Sequence, residues 1–390
     1  MKEFVLNGTT VKNWARELDH KAWLQLGNLC SLPFVFHHVA MMPDAHGGVG
    51  MPIGGVLATT NVVIPNAVGV DIGCGMCAVK TDIPVAEISD EVLRKKLMRG
   101  IRKRIPLGMA HHKQAQDEGL MPAGYDVEAT TVVKKEYKSA LKQIGTLGGG
   151  NHFIELQRDE EGFLWIMLHS GSRNLGKQVC DHYAKLAKEL NERWFSSVDT
   201  GMQLAFLPWG TQEYQQYWTE MQYCVDFALA NRRLMMQRIM EEVAEAFPEA
   251  HFGPMINIAH NYAALEHHFG KNVIIHRKGA VKVMEETVGI IPGSQGTRSY
   301  IVEGLGNPDS FYSSSHGAGR RMSRTEAVNT LSFDKEVAKL NALHIVHAIR
   351  NQNDLEEASS AYKDIDAVMA SQTDLVKIKV ALSPIAVIKG

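Results

Sequence analysis

Two glycine-rich segments between residues 41 and 79 hold the highest concentration of chemically useful side chains in the sequence. In the second segment, DIGCGMC, Asp71 and Cys74 are three residues apart, so a carboxylate and a thiolate can point into one site. The first segment, MPDAHGG, adds Asp44 and His46. Glycine is needed where the backbone turns sharply or approaches a ligand closely. We therefore predict that both segments are polar turns and that they carry a functional site.

Further histidines stand beside glycine and asparagine in similar contexts. GTLGGGNHFIEL leads from three glycines into Asn151, His152 and Glu155, and LHSGSR ends an apolar strand at His169, close to Arg173. A single histidine of this kind is more often a packed or solvent-facing residue than a ligand. The repetition of the context favours a combined site for a metal ion and a phosphate group.

Two later segments offer groups that suit an anion or a nucleotide. PGSQGTRS contains Ser294 and Ser299, whose hydroxyls could act together with backbone N–H groups. SSSHGAGRRMSR places His316 ahead of Arg320 and Arg324. A surface loop before a helix explains this second pattern equally simply. The functional interpretation is a nucleophilic or phosphate-contacting histidine with guanidinium groups that neutralise charge.

Local periodicity predicts the elements that position these residues. Apolar residues at spacings of three and four predict helices over Gln178–Trp194 and Tyr223–Phe247, and an apolar run predicts a buried strand over residues 62–70. His260 of NIAHNYA is expected between a strand and a helix, with His268 further along on the helix surface. The candidate residues extend from 44 to 316 without a linker or a repeat, which favours one interwoven α/β domain.

Composition limits the class of protein. With 390 residues, 45% hydrophobic and 22% charged, the chain resembles an ordinary soluble globular protein. It has no apolar run of about 18 residues and no signal-peptide pattern, so we expect no membrane association. Five scattered cysteines argue against a disulfide framework and favour a reducing cytoplasm.

Net charge leaves a nucleic-acid partner open. The formal charge of −2 neither demands nor excludes such a partner, which would require local basic patches. The segment RKKLMRGIRKR, Arg94 to Arg104, is one candidate patch. Such a run is usually a solvated helix face, and contact with RNA phosphates is the alternative.

The assembled segments resemble the RtcB family of GTP-dependent RNA ligases. MPDAHGG, GVDIGCGM, GTLGGGNHFIE, LHSGSR, HNYA, RKGA, PGSQGTRS, SHGAGRRMSR, YKDIDAVM and the final Lys-Gly follow the order of that family over nearly the whole chain. The resemblance implies an α/β (α+β) fold, a single RtcB-like catalytic domain over residues 1–390, with mixed sheets around a central dinuclear metal site. The fold that the resemblance implies differs from the doubly wound nucleotide-binding fold.

The resemblance also implies roles for individual residues. Cys74 would bridge two Mn²⁺ ions, with Asp71 and His152 on one ion and His169 and His260 on the other. His316 resembles the histidine that becomes guanylylated, and Asp44 resembles the carboxylate that orients it. Positions that resemble GTP- or GMP-binding residues are Asn151, Glu155, Ser294, Ser299, His316, Gly317, Ala318, Gly319, Tyr362 and Lys389. Positions that resemble RNA-phosphate contacts are Arg173, Arg320 and Arg324.

The implied activity joins RNA ends that carry a 3′-phosphate or 2′,3′-cyclic phosphate to 5′-hydroxyl ends, in RNA repair or tRNA splicing. GTP and two Mn²⁺ ions are the implied cofactors, an archease-like activator is an implied partner, and we expect a monomer. The ligand types alone would favour Zn²⁺ over Mn²⁺, so Mn²⁺ follows from the resemblance.

Two alternatives use the same residues. A dinuclear metallophosphoesterase could hydrolyse RNA cyclic phosphates without sealing, and a metal-stabilised RNA-binding protein would need no turnover. Neither requires a nucleophilic His316 or guanylate-binding positions. Val49 and Ala259 depart from common family residues, which suggests a divergent branch. Cys77 forms a C-x-x-C pair with Cys74, but we interpret it as non-ligating because no second pair exists.

Overall fold

Two large sheets hold most of the extended segments in the computed structural model, which describes residues 1–390. The first sheet has six strands and is mixed, because one pair is parallel and all its other pairs are antiparallel. The parallel pair is formed by the second and third strands of the chain. In spatial order the strands are β1 (Lys2–Leu6), β2 (Thr9–Asn13), β3 (Val35–Val49), β4 (Met51–Thr59), β12 (Lys271–Lys278) and β11 (Asn261–His268).

The second sheet has seven strands, all antiparallel to their neighbours. In spatial order they are β10 (Ile256–Ala259), β6 (Gly75–Pro84), β8 (Phe163–Ser170), β7 (Phe153–Arg158), β17 (Val376–Lys389), β15 (Ser299–Gly304) and β14 (Val288–Ile291). Two small ribbons complete the extended structure. They pair β13 (Ala280–Lys282) with β16 (Ser313–Ser315), and β5 (Val62–Val63) with β9 (Leu207–Pro208).

Nine α-helices surround the sheets, and the prediction of an α/β fold with mixed sheets is confirmed. None of the helices combines the length and apolarity needed to cross a bilayer. A π-helical segment, Val92–Met98, leads directly into the third helix. The helices are α1 (His20–Cys30), α2 (Pro65–Val68), α3 (Arg99–Arg104), α4 (Val133–Gln143), α5 (Arg173–Arg193), α6 (Gln212–Ala246), α7 (Arg324–Thr330), α8 (Phe333–Ala342) and α9 (Ile365–Ala370).

Helix α6 connects the helical layer to the second sheet. Tyr217 and Phe227 pack with Tyr183 of α5, whereas Met235 and Ile239 pack in the cluster formed by strands β6, β7 and β8. The helix predicted over 223–247 begins earlier than expected, at Gln212, and Thr211 caps it. The long helix gives the second sheet a rigid support along its length.

A carboxylate on α6 caps the neighbouring helix α4. Glu220 is buried and accepts hydrogen bonds from the backbone N–H groups of Thr131, Val132 and Val133 at 2.9, 2.8 and 2.7 Å. The Tyr183 hydroxyl donates to the same carboxylate at 2.6 Å. Because the first N–H groups of a helix lack internal partners, a negative charge here satisfies them and complements the helix dipole.

Two predictions about the segment around residues 41–79 are wrong. MPDAHGG does not form a turn but lies within the long strand β3, whose pairing with β4 is interrupted between Met41 and His46. The predicted strand over 62–70 contains only the short β5 followed by α2. Pro65 is the first residue of that helix, and its fixed φ angle suits a helix start.

The helix expected after His260 is also absent. His260 lies between strands β10 and β11, and His268 is buried at the end of β11, where it pairs with Glu266 at 3.0 Å. The segment pairs along its length with β12, so sheet hydrogen bonds override its local pattern.

Candidate active site

Five side chains form a row of metal-ligating atoms, of which all but the partly exposed Asp71 are buried. Asp71 Oδ2 lies 3.0 Å from His152 Nε2, which lies 3.5 Å from Cys74 Sγ. On the other side, Cys74 Sγ lies 3.2 Å from His169 Nε2, which lies 3.4 Å from His260 Nε2. The thiol is therefore in the middle, with two ligands on each side. We call these five residues the donor row.

The register of four neighbouring strands explains why the row forms. At one end of the second sheet, Gly75 at the start of β6 pairs with Ser170 at the end of β8 and with Ala259 at the end of β10. His169 in β8 pairs with Phe153 at the start of β7. Four of the five donors lie at or beside one of these strand ends, and Asp71 lies in the turn that leads into β6. Antiparallel neighbours thus bring residues from four regions of the chain to one edge.

Backbone carbonyls set the orientation of two imidazoles. His152 Nδ1 donates to the Leu147 carbonyl at 3.0 Å, and His169 Nδ1 donates to the Asn151 carbonyl at 3.1 Å. Each ring therefore turns Nε2 toward Cys74, as is usual for metal-binding histidines. The glycine loop that supplies these carbonyls is fixed by Asn231 of α6, which accepts from the N–H groups of residues 145 and 146.

The chemistry of the row fits a metal centre. Burial, together with the charge of Asp71, raises the pKa of Cys74 well above its usual value, and burial lowers the pKa values of His169 and His260. His260 Nδ1 is buried without a hydrogen-bond partner. A cation among these atoms would compensate the buried carboxylate and favour the thiolate over the thiol.

The pKa of Asp71 is low, as suits a carboxylate that binds a metal ion. Its burial alone would raise the pKa, but the hydrogen bond and charge of His152 outweigh burial and hold the pKa at about 2. Cys77, in contrast, is buried within β6 and is not part of the cluster of Cys74, His152 and His169.

His316 lies at the end of this row, directly after β16. Its ring centroid is 4.8 Å from that of His260. Asp44 Oδ2 accepts the backbone N–H of His316 at 3.1 Å and lies 2.6 Å from the ring nitrogen Nδ1, although these last two atoms lack the alignment of a hydrogen bond. The carboxylate therefore holds the backbone of His316 and faces one side of its ring.

The support of Asp44 comes from residues outside the row. His46 Nδ1 donates to the Asp44 carbonyl at 2.9 Å, and burial lowers the pKa of His46 to about 4. Lys363 Nζ donates to the Ala45 carbonyl at 2.6 Å. Gly319 has a φ of 74°, and any β-carbon there would collide with the Asp44 backbone. His46 is thus placed behind Asp44 and not in the donor row.

A polar cavity opens beside His316, with a volume of about 510 Å³ when the space open to solvent is included. It reaches the donor row at His169. Of the ten positions that the family resemblance implies for the nucleotide, nine line it; Ser299 does not. The lining includes Asn151, Glu155, Ser294, His316, Gly317, Ala318, Gly319, Tyr362 and Lys389.

Ser299 supports the cavity from behind. Its Oγ accepts from Gln157 Nε2 at 3.1 Å and from the Gly293 N–H at 3.2 Å. The same Gln157 nitrogen donates to Glu155 Oε2 at 2.7 Å. Ser299 therefore positions the amide that holds Glu155.

Comparison with known proteins agrees with this geometry. A family model described as tRNA-splicing ligase RtcB matches residues 25–390. The chain belongs to the RtcB family. It is 36% identical to the RNA-splicing ligase RtcB of Escherichia coli strain K12 over 97% of both chains. It is 30% identical to the tRNA-splicing ligase RtcB of Thermococcus kodakarensis over 94% of this chain and 90% of the relative.

One acidic residue of this RtcB-family site escaped sequence analysis. Glu357 is buried, lines the cavity and lies 3.3 Å from Arg320, 3.1 Å from Arg324 and 3.7 Å from Lys389. Tyr362 donates its hydroxyl to the same carboxylate. Both arginines expected at RNA phosphates are therefore ion-paired here. The sequence EEASSAY around Glu357 resembles an ordinary exposed segment, and only the neighbouring YKD motif hinted at the site.

Arg173, the third expected phosphate contact, lies beside the donor row. It is in the left-handed region with a φ of 60°, and its Nε donates to Thr146 Oγ1 at 3.2 Å. Burial lowers its pKa, whereas the charges of Asp71 and Cys74 raise it. A cationic side chain is thus held beside the row without a direct ion pair.

A second arginine behind the row was not expected from sequence. Arg232 of α6 is 0% exposed and has no acidic partner within ion-pair distance. Its Nη1 donates to the carbonyls of Gly73 and Ser170 at 2.8 and 2.9 Å, and its Nε donates to Asn257 at 2.8 Å. Gly73 precedes Cys74, and Ser170 follows His169. The guanidinium thereby ties together two strand ends that carry ligands.

We predict that Arg232→Met lowers the free energy of unfolding by about 3 kcal/mol, because two buried carbonyls and an amide oxygen lose their donor. Urea unfolding of the metal-free protein measures this change. Arg233→Met is the matched control, since Arg233 is the next residue, is exposed and forms no ion pair. Equal stability of the two variants would contradict the proposed role of Arg232 in holding the strand ends.

Proposed function

We propose that this RtcB-family RNA ligase joins RNA 3′-phosphate or 2′,3′-cyclic phosphate ends to 5′-hydroxyl ends through a GMP adduct on His316. The observation that carries the proposal is the position of His316 between the donor row and the polar cavity. A hydrolase would need the row but not a cavity beside a potential nucleophile. GTP as nucleotide, Mn²⁺ as metal, an archease-like activator, a monomeric state and a cytoplasmic location are further parts of the proposal that follow from family resemblance.

His316 is suited to act as a nucleophile. Asp44 faces Nδ1, which leaves Nε2 to attack the α-phosphorus of GTP. A nitrogen–phosphorus bond forms as the bond to pyrophosphate breaks. The orientation of the ring by a buried carboxylate lowers the entropic cost of this attack.

The adduct then activates the RNA end. An oxygen of the RNA 3′-phosphate attacks the guanylyl phosphorus and releases His316. The 5′-hydroxyl next attacks the RNA phosphorus, forms the phosphodiester bond, loses its proton and expels GMP. A cyclic phosphate must first be hydrolysed to a 3′-phosphate.

The donor row would hold the two metal ions. Bound ions would neutralise phosphate charge and polarise the phosphorus–oxygen bonds. The central position of Cys74, with Asp71 and His152 on one side and His169 and His260 on the other, supports the assignment of Cys74 to both ions. Arg173 beside the row would add a positive charge for the phosphates.

The cavity walls suit a guanylate. Glu155 can accept the N–H groups of guanine, Asn151, Ser294 and Lys389 offer hydrogen-bond donors, and the Tyr362 hydroxyl, which donates to Glu357, can accept. Glu357 would hold Tyr362 and Lys389 in place. These roles explain the high proportion of polar groups in the lining of the cavity.

Covalent labelling tests the proposed function. Incubation with Mn²⁺ and GTP labelled at the α-phosphate should give an acid-labile GMP adduct, and His316→Ala should abolish it because the attacking nitrogen is removed. His46→Ala is the control histidine variant and should retain measurable labelling. The result that would favour the metallophosphoesterase is hydrolysis of cyclic phosphates by the unaltered protein without any adduct in the presence of Mn²⁺, Zn²⁺ or Co²⁺.

The pH dependence of guanosine binding tests the role of Glu155. Burial raises the pKa of Glu155 to about 7, against the opposing effects of Gln157 and Lys389. Because the carboxylate is the form that accepts two guanine N–H groups, affinity should rise up to about tenfold per pH unit toward pH 7 and then level off. Guanosine is the suitable probe because it carries no titrating phosphate. Calorimetry should show weak, pH-independent binding for Glu155→Gln; a pH profile unchanged by this substitution would contradict the assignment.

A further inference from the structure

A second polar groove adjoins the cavity beside His316. It has a volume of about 1180 Å³ and shares three lining residues, Gln295, Glu357 and Lys389, with that cavity. One wall is formed by Arg102 of α3, and the other by the segment 348–356. An extended molecule that leaves the cavity past these shared residues would therefore enter the groove.

The basic run Arg94–Arg104 contributes to this groove through one residue only. Arg102 is half-buried and lines the groove, whereas the other six basic residues of the run lie outside it, three of them in ion pairs. The neutralised pairs are Arg94 with Asp90, Lys95 with Glu91, and Arg104 with Glu241, Glu242 and Glu245. The fold thus places only Arg102 of this run in the groove.

Arg102 shares the groove with another unpaired guanidinium, that of Arg350. Neither Arg102 nor Arg350 is within ion-pair distance of a carboxylate. Both residues line the same groove, and burial together with the charge of Arg350 lowers the pKa of Arg102. Two like charges at one groove are unfavourable until an anion lies between or beside them.

None of the acidic residues of the groove forms an ion pair with Arg102 or Arg350. Asp354 Oδ2 accepts the backbone N–H groups of Arg350 and Asn351 at 2.6 and 3.0 Å. Glu357 is paired with the cations of the first cavity. Glu356 is the one lining carboxylate outside these contacts. The side-chain amide nitrogens of Asn351 and Asn353 have no acceptor and add neutral donors.

We propose that this groove binds a backbone phosphate of the RNA strand being joined, through Arg102 and Arg350. The inference rests on the proposed function, because an RNA end that reaches His316 must continue along the surface beside the cavity. Unpaired guanidinium groups and free amide donors match the oxygens of a phosphodiester. No aromatic residue lines the groove, so we expect recognition of the backbone without stacking on bases.

Binding of short single-stranded RNA tests the proposal. We compare Arg102→Gln, Arg350→Gln and the double variant with Arg94→Gln, a control from the same basic run that lies outside the groove. Fluorescence anisotropy is measured at several salt concentrations with a 3′-phosphate strand and, separately, with a 5′-hydroxyl strand. Thermal melting shows that each variant is folded.

Each groove variant should bind one of the two strands about three- to tenfold more weakly, and the slope of log affinity against log salt should fall by about 0.7 per arginine. Arg94→Gln should bind like the unaltered protein. Guanylylation of His316 should proceed at an unchanged rate in all variants, since GTP does not need the groove.

Three results would overturn the proposal: unchanged affinity of the double variant for both strands, equal weakening by Arg94→Gln, or loss of guanylylation in place of RNA binding. Failure of the proposed ligase function is distinguishable. In that case the unaltered protein forms no GMP adduct, while its RNA affinity still depends on Arg102 and Arg350.

Discussion

The antiparallel register at one end of the second sheet is the constraint on which the site depends. Strands β10, β6, β8 and β7 are neighbours, and their paired ends bring Cys74, His169, His152 and His260 to one edge. A shift of one strand by a single residue would turn its ligand to the opposite face of the sheet. The extensive packing beneath these strands, including α6, therefore has a chemical consequence as well as a stabilising one.

Burial makes the electrostatics of this edge unusual. Burial lowers the pKa values of His169 and His260 and raises that of the Cys74 thiol beside one carboxylate, and two arginines stand close to the row without ion pairs. Buried charge is costly unless it is compensated. An arrangement of this kind favours the entry of metal cations, and the neighbouring guanidinium groups favour the phosphates that accompany them. Affinity for cation and anion is thus built into the same small volume.

Sequence reasoning identified the functional residues whose neighbours in the sequence already indicate a site. Asp71, Cys74, His152 and His169 stand beside glycines, and His316 stands beside glycines and arginines, so their chemistry is visible in single segments. Helices α5 and α6 were recognisable because their apolar residues repeat at helical spacing.

The missed features depend on distant contacts. Arg232 resembles an ordinary polar residue of a long helix, and its burial arises only when α6 packs on strands β6 and β8. Glu357 acquires its role from cations at 320, 324 and 389. The MPDAHGG segment was predicted to turn because glycine permits turns, but pairing with β4 keeps it extended. Local sequence carries no signal for such partners.

Electron paramagnetic resonance during Mn²⁺ titration tests the central claim most directly. Five ligands arranged around one thiol should bind two ions per chain, close enough to give the broad multiline spectrum of a spin-coupled pair at saturation. Binding of one ion per chain, or two ions with the six-line spectra of isolated Mn²⁺, would contradict a dinuclear centre at the donor row.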